Sequence, residues 1–175
     1  RHGYDPSSSN NWAVWLLSSG GPETLQNGIL PDGFAAVVNL TGYDDTLRIW
    51  KIKDGKISVV LTCPLNWQNN IGTVDPAMLA IGRSTGGQWS VEVTDLTDLN
   101  VFTASGSDPD LFPCNWLLVN YRYSSTRDRL LWFDDLHIDG LFYADTIAPV
   151  VTGYSVTGRN SLTLTLSEAL PEGSV

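Results

Sequence analysis

The chain has 175 residues and a mass of 19.1 kDa, enough for one domain core and the remnant of a second unit. Hydrophobic residues make up 42% and charged residues 17%, a composition that excludes a disordered chain and favours a sheet-rich globular one. Nineteen acidic against ten basic residues give a net charge of -9, which makes nucleic acid and anionic membrane surfaces poor partners. No apolar run approaches the ~20 residues of a membrane span, so membrane insertion is not expected.

Short β-branched and aromatic runs recur between turn residues, a pattern typical of a β-sandwich or barrel. The segment 18–32 is rich in Gly, Pro, Ser and Asn and is predicted to be a long surface loop. Asp54-Gly55 and Gly86-Gly87 suit tight turns with positive φ, so each is predicted to be a hairpin tip. Nine strands are predicted, over residues 12–17, 34–40, 46–52, 56–62, 78–81, 89–94, 99–103, 116–123 and 129–138.

The clearest strand alternation lies at Trp89, Val91 and Val93, which are separated by Ser90 and Glu92. Because successive side chains of a strand point to opposite faces, this pattern predicts a half-buried antiparallel strand. Its apolar face is expected to pack against a core.

The C-terminal part of the chain has a different character. Leu162, Leu164 and Leu166 alternate with small polar residues and follow a predicted turn at Gly158-Arg159-Asn160. About thirty residues cannot bury a core of their own. We therefore expect one domain over residues 1–143, followed over residues 144–175 by a linker and the truncated start of a second β-domain.

Two stretches carry a resemblance to a known family. They are Y-R-Y-S-S-T-R-D-R-L-L-W-F-D-D-L-H-I (residues 121–138) and the hairpin G-F-A-A-V-V…L-R-I-W-K-I-K-D-G (residues 33–55). Together they resemble the concanavalin A-like, laminin-G-like jelly roll of secreted bacterial multidomain proteins. The resemblance implies an all-β jelly-roll sandwich, in which we expect the one or two strands that usually precede residue 10 to be missing.

The tail carries a second resemblance. The sequence D-T-I-A-P-V-V-T-G-Y-S-V…S-L-T-L-T-L-S-E-A-L resembles the first strands of a bacterial immunoglobulin-like sandwich. Tandem sandwiches of these two kinds imply an exported protein, either extracellular or at the cell surface. They also imply that other domains of the same polypeptide are partners of this one.

The aromatic residues suggest a sugar-binding surface, because sugar rings stack their C–H faces on exposed indole or phenol rings. Trp50 could line the concave face of the sandwich or lie on an ordinary mixed surface, and Trp67 is an alternative exposed platform. The packing role is expected instead for Trp89, Trp116 and Trp132. The candidate ligand-binding residues are Tyr43, Trp50, Tyr121, Arg122 and Tyr123.

Asp134 is a candidate metal ligand. If residues 129–138 form one strand, its carboxylate shares a face with Leu130 and Trp132, and a buried carboxylate needs a partner. One interpretation is a structural calcium ion, which takes carboxylate and carbonyl oxygens. The other is a carboxylate satisfied by a nearby arginine or by backbone N–H groups at a bulge.

The sequence lacks a recognisable catalytic motif. Jelly-roll glycosidases carry two carboxylates on one strand in an E-x-D-x-x-E pattern, which does not occur here. His2 and His137 are the only imidazoles, so a catalytic triad or zinc site is not expected. Cys63 and Cys114 either form a disulfide or are two separate buried thiols.

The leading functional hypothesis is therefore a non-catalytic, extracellular carbohydrate-binding module that binds a glycan or polysaccharide. The alternative is a structural or adhesive spacer that binds no sugar. A glycoside hydrolase relative without its catalytic carboxylates is a third possibility. The sequence predicts no cofactor other than the possible structural calcium.

Overall fold

The computed structural model describes residues 3–140, 149–158 and 161–167. It is mostly β with antiparallel sheets, as the composition predicted. The chain divides into two compact units, Arg1–Asp135 and Leu136–Val175. The expected boundary between residues 143 and 144 lies outside the described residues.

The described part of the first unit contains two antiparallel sheets, two short α-helices and a 3-10 helix at Ser125–Arg127. The larger sheet has the strand order β4-β3-β2-β1-β8, and the smaller has the order β5-β6-β7. Eight of the nine predicted strands overlap strands of the structure. The elements are β1 (Asn11–Ser18), α1 (Pro22–Gln26), β2 (Gly33–Val38), β3 (Thr46–Lys53), β4 (Lys56–Asn66), α2 (Trp67–Asn70), β5 (Ala77–Arg83), β6 (Gln88–Asp95), β7 (Val101–Ser107) and β8 (Trp116–Arg122).

In the part of the chain that the structure describes, no helix reaches the length and apolarity that a membrane crossing requires.

Both predicted hairpin tips are confirmed. Asp54 and Gly55 have φ values of 51° and 71° and join β3 to β4 directly. Such paired left-handed residues match the twist of the flanking strands. Gly87 has a φ of 77° in the turn between β5 and β6, where its N–H donates to Ser84 O at 3.0 Å.

The main core lies between the two sheets. From the smaller sheet, Trp89, Val91 and Val93 are 2%, 2% and 0% exposed, which confirms the predicted alternation. Phe34 of the larger sheet packs on Trp89 with 4.9 Å between ring centroids. The buried residues of this core are Trp12, Val14, Phe34, Ala36, Val38, Leu47, Ile49, Leu61, Cys63, Leu65, Trp67, Ile71, Trp89, Val91 and Val93.

The larger sheet is also buried on its outer face. A second cluster forms there from Ala13, Trp15, Ala35, Val37, Trp50 and Ile52. Leu25 of α1 packs against it from the segment that was predicted to be a surface loop. A sheet covered on both faces leaves few of its central side chains for contact with a ligand.

The two sheets approach each other closely where β7 passes β4. A Cβ atom placed on Gly106 would lie 2.5 Å from the carbonyl oxygen of Val60. No side chain fits at that distance, so the absence of a Cβ at Gly106 allows the close approach.

Ion pairs connect the segment between β7 and β8 to the end of β3. The Nζ atom of Lys51 lies 2.7 Å from a carboxylate oxygen of Asp108 and 2.7 Å from one of Asp110. Lys53 lies 3.2 Å from Asp110. The guanidinium of Arg83 donates to the carbonyl oxygen of Asp110 at 3.0 Å. These bonds hold the segment at the end of β3.

The ninth predicted strand, residues 129–138, is wrong. Apart from a single-residue bridge at Leu131, this segment is irregular, and Arg129 and Asp135 have positive φ values of 60° and 54°. Left-handed residues interrupt the extended backbone that a strand needs. The two-residue alternation assumed for Trp132 and Asp134 therefore does not apply.

The described part of the second unit contains one hairpin, formed by β9 (Val151–Gly158) and β10 (Ser161–Leu166). The pairing is antiparallel and places Leu164 opposite Tyr154. The strand predicted around Leu162 is thus confirmed, whereas Arg159 and Asn160 of the predicted turn lie outside the described residues.

Candidate functional site

Three tyrosines form a ladder at one end of β8. The rings of Tyr121 and Tyr123 stack with 4.7 Å between centroids and an interplanar angle of 27°. Tyr4 packs on Tyr121 at 5.6 Å. Tyr4 is 1% exposed, whereas Tyr123 is 48% exposed. The ladder therefore runs from the interior to the surface and ends on an open phenol ring.

The β1–β8 register explains this placement. Tyr121 lies directly opposite Trp12, a residue of the main core. Residues two apart on a strand share a face, so Tyr123 follows Tyr121 along the same side. The two rings consequently line the edge of the sandwich rather than its outer face.

Hydrogen bonds order the chain beside the ladder. The Oδ1 atom of Asn10 accepts from the N–H of Ser124 at 2.8 Å and from its hydroxyl at 3.0 Å. The hydroxyl of Tyr121 donates to the carbonyl oxygen of Arg127 at 2.5 Å. The exposed side chains of Ser124, Thr126 and Arg127 provide a polar rim along the chain directly after Tyr123.

Two phenols of the ladder, Tyr4 and Tyr121, are protonated at neutral pH. Burial raises the pKa of Tyr4, and the nearby phenol of Tyr121 adds to that effect. Burial, followed by the charge of Asp128, raises the pKa of Tyr121. Tyr121 therefore remains a hydrogen-bond donor to Arg127.

Not all of the predicted ligand-binding residues come together. Tyr121 and Tyr123 do, but Arg122 lies between them on the strand and so belongs to the opposite face. Tyr43 is 84% exposed in the connection between β2 and β3.

Trp50 lies in the outer-face cluster and is only 5% exposed. Its indole N–H donates to the carbonyl oxygen of Val37 at 3.2 Å, and the Arg48 guanidinium lies over its ring at 5.6 Å. A ring enclosed in this way has no free face for a sugar. The expectation that Trp50 lines an open face is corrected, because Arg48 lies over its ring and Leu25 of α1 packs against the cluster that contains it.

The remaining tryptophans also require correction. Trp67, the alternative platform, is 5% exposed and packs edge-on against Trp12 with 5.0 Å between centroids. Trp89 is buried as expected, but Trp116 and Trp132 are 46% and 45% exposed. β8 lies at the edge of its sheet and residues 129–138 are not a strand, so neither side chain is enclosed.

An apolar pocket of about 80 Å³ lies beside the tyrosine ladder. Trp12, Val14 and Trp67 are buried and form its floor, whereas its rim is half-exposed. The rim and walls come from Ala77, Leu79, Val119, Leu131, Trp132 and Phe133. Sequence reasoning missed this pocket because it treated residues 129–138 as a strand, although the run L-L-W-F is an apolar signal.

Asp134 is exposed, and its Oδ1 atom accepts from the N–H of Asp135 at 2.9 Å. It therefore does not share a buried face with Trp132, as the strand interpretation required. Over residues 3–140, 149–158 and 161–167, no three or more His, Cys, Asp and Glu side chains gather as a metal site would need.

The two cysteines are free thiols. Burial raises the pKa of Cys63. Burial and the charge of Asp32 raise the pKa of Cys114 to about 11. Both side chains are therefore protonated at neutral pH, and of the two interpretations the structure has separate thiols.

Comparison of the chain with models of protein families, with curated proteins and with solved structures finds no match.

Proposed function

We propose that this protein is a non-catalytic carbohydrate-binding module of a larger exported protein. The observation that carries the proposal is the half-exposed ring of Tyr123, which is held by Tyr121 and followed along the chain by the exposed hydroxyl and guanidinium groups of residues 124–127. A sugar ring presents C–H groups on its faces and hydroxyls around its edge. An apolar ring with a polar rim is complementary to both.

The ladder also reduces the cost of binding. Tyr121 is fixed by its hydrogen bond to Arg127 and by the buried ring of Tyr4. Because Tyr123 rests on this fixed ring, less side-chain freedom is lost when a ligand binds. Tyr43 and Arg122 remain proposed ligand-binding residues, as exposed side chains that a longer glycan would contact.

We propose that binding is not followed by hydrolysis. Glycosidases need two carboxyl groups about 5–10 Å apart across the scissile bond. The sequence lacks the E-x-D-x-x-E pattern that supplies them in jelly-roll enzymes.

The family, location and metal are proposals of the same kind. The antiparallel two-sheet unit and the hairpin in the tail agree with the concanavalin A-like and immunoglobulin-like resemblances, from which the extracellular or cell-surface location follows.

For calcium, the accessible carboxylate of Asp134 is the support. A melting temperature that falls on addition of a chelator would favour calcium, whereas an unchanged value would remove it.

A structural or adhesive spacer is the second candidate function. It is favoured by the half-exposed apolar side chains of Leu117 and Val119, which share one face of β8, the edge strand of the larger sheet. Such a row suits packing against another domain of the same polypeptide.

Retention on a panel of immobilised neutral, acidic and acetylated polysaccharides distinguishes the two functions. The carbohydrate-binding proposal predicts that the folded protein is retained by at least one class of sugar and released by the soluble form of that sugar. Passage through every column, by protein shown to be folded by circular dichroism, would favour the spacer.

A further inference from the structure

We propose that the apolar pocket beside the tyrosine ladder accepts the acetyl group of an acetylated glycan. This inference rests on the proposed function, because it names the class of sugar that the same site selects. In this arrangement one sugar of the glycan stacks on the open face of Tyr123, and the acetyl group of a neighbouring sugar enters the pocket.

The pocket and the ladder are consecutive positions of one strand pair. Val119, on the rim, precedes Tyr121 by two residues, which is roughly 7 Å along the strand. Trp12, on the floor, is the cross-strand partner of Tyr121. One glycan can therefore contact the ladder and the pocket together.

The volume fits an acetyl group. An apolar cavity of about 150 Å³ takes benzene, with its six carbon atoms. A pocket of about 80 Å³ therefore takes roughly three or four heavy atoms, the size of an acetyl or acetamido substituent. A complete sugar ring is too large for it.

The chemistry of the walls supports the same choice. The side chains of Val14, Leu79, Val119 and Leu131 hold no polar atom. A sugar hydroxyl placed there would lose its water without gaining a partner at these walls. An acetyl group, in contrast, can bury its methyl against them and keep its carbonyl oxygen in water at the half-exposed rim. The pocket therefore favours the acetylated sugar over its unsubstituted counterpart.

Two pairs of neutral oligosaccharides test the proposal on the full chain. Chitohexaose and cellohexaose share a β-1,4-linked backbone and differ by an acetamido group in place of a hydroxyl. Acetylated and deacetylated xylohexaose differ by O-acetyl groups. We expect isothermal titration calorimetry to show about four- to tenfold tighter binding of the acetylated member of at least one pair. The pair that shows the preference distinguishes an N-acetyl from an O-acetyl ligand.

A matched pair of variants tests whether the preference for the acetylated sugar arises in the pocket. Ala77→Leu fills the pocket, and Ala80→Leu adds the same side chain to the exposed outer face of the same strand. We expect Ala77→Leu to remove the preference for the acetylated sugar while binding of the unsubstituted sugar remains. Ala80→Leu should keep the preference.

A measurement on the unmodified protein tests the proposal even if a variant fails to fold. In saturation-transfer NMR, the acetyl methyl protons should receive the strongest saturation of all ligand protons. Equal affinity within both pairs, or weak saturation of the methyl, would overturn the pocket proposal and leave sugar binding at the ladder intact. If none of the four oligosaccharides binds, the pocket proposal is overturned. Retention on the panel of polysaccharide columns then decides the proposed function separately.

Discussion

The ring of Tyr123 lies against that of Tyr121, which is itself tied by its hydroxyl to the carbonyl oxygen of Arg127. An exposed aromatic ring on such a fixed support is held in one orientation. This relationship underlies the proposed sugar site.

Replacing Tyr123 by Ala should weaken sugar retention about tenfold or more, because the exposed stacking face is lost. The melting temperature should change little, since Tyr123 is half-exposed. Affinity electrophoresis in gels with and without the retained polysaccharide measures the effect. Tyr154→Ala is the control, because Tyr154 is 75% exposed in the second unit. Equal mobility shifts for both variants would exclude Tyr123 from the site.

Replacing Trp50 tests the distinction between core and binding residues. Trp50→Ala leaves a cavity under the outer-face cluster and should lower the free energy of unfolding by about 3–5 kcal/mol. Trp50→Phe should lower it less, since only part of the ring and the hydrogen bond to Val37 are lost. Urea denaturation measures both. A Trp50→Ala variant that is fully stable but fails to bind sugar would show that the indole is at the surface after all.

Gly106 provides a test of how the two sheets meet. In Gly106→Ala the new methyl would lie 2.5 Å from the carbonyl oxygen of Val60, so β7 or β4 must shift. We expect a loss of about 1–3 kcal/mol in the free energy of unfolding. Gly86→Ala is the matched control, because its Cβ would meet nothing closer than 3.8 Å. If the two variants were equally stable, β7 and β4 could not pass as closely as described.

The ion pairs at the end of β3 predict a dependence of stability on pH. Hydrogen bonds from Lys51 and then Lys53 hold the pKa of Asp110 below its usual range. A lowered folded-state pKa means that the stabilisation is present above the unfolded value of about 3.9 and is lost as the pH falls through the folded value. For Lys51, burial opposes the charged form, but the hydrogen bonds to Asp108 and Asp110 outweigh it and raise its pKa.

Lys51→Met should therefore flatten the fall in unfolding free energy between about pH 5 and about pH 2. Urea denaturation across this range measures the slope, and Lys56→Met, at the exposed start of β4, serves as the control. An unchanged slope in Lys51→Met would mean that other carboxylates govern the acid response.

The local part of the fold was predictable from sequence. The turn at Asp54-Gly55 needs positive φ, which few residue types adopt readily, and the alternation at Trp89 and Val91 specifies which side of β6 is buried. These features depend only on neighbours along the chain. The strand expected at residues 129–138 failed because an apolar alternation does not reveal left-handed backbone at Arg129 and Asp135.

The burial of Trp50 could not be predicted in the same way. On its own strand it is flanked by Arg48 and Ile52, which gives a mixed face. Its neighbour Ala35 comes from β2, and Leu25 packs on the same cluster from α1. Register and loop packing are long-range properties, so the sequence of one strand does not contain them. For the same reason, Tyr121 and Tyr123 were named as candidates without any indication that Tyr4 supports them.

The most direct test of the proposed site is to map the retained glycan on isotope-labelled protein by NMR. The sugar-binding account predicts that the largest chemical-shift changes occur at the ring resonances of Tyr121 and Tyr123 and at the backbone amide of Ser124. Changes centred instead on the outer-face cluster around Trp50, or on the hairpin of the second unit, would contradict it.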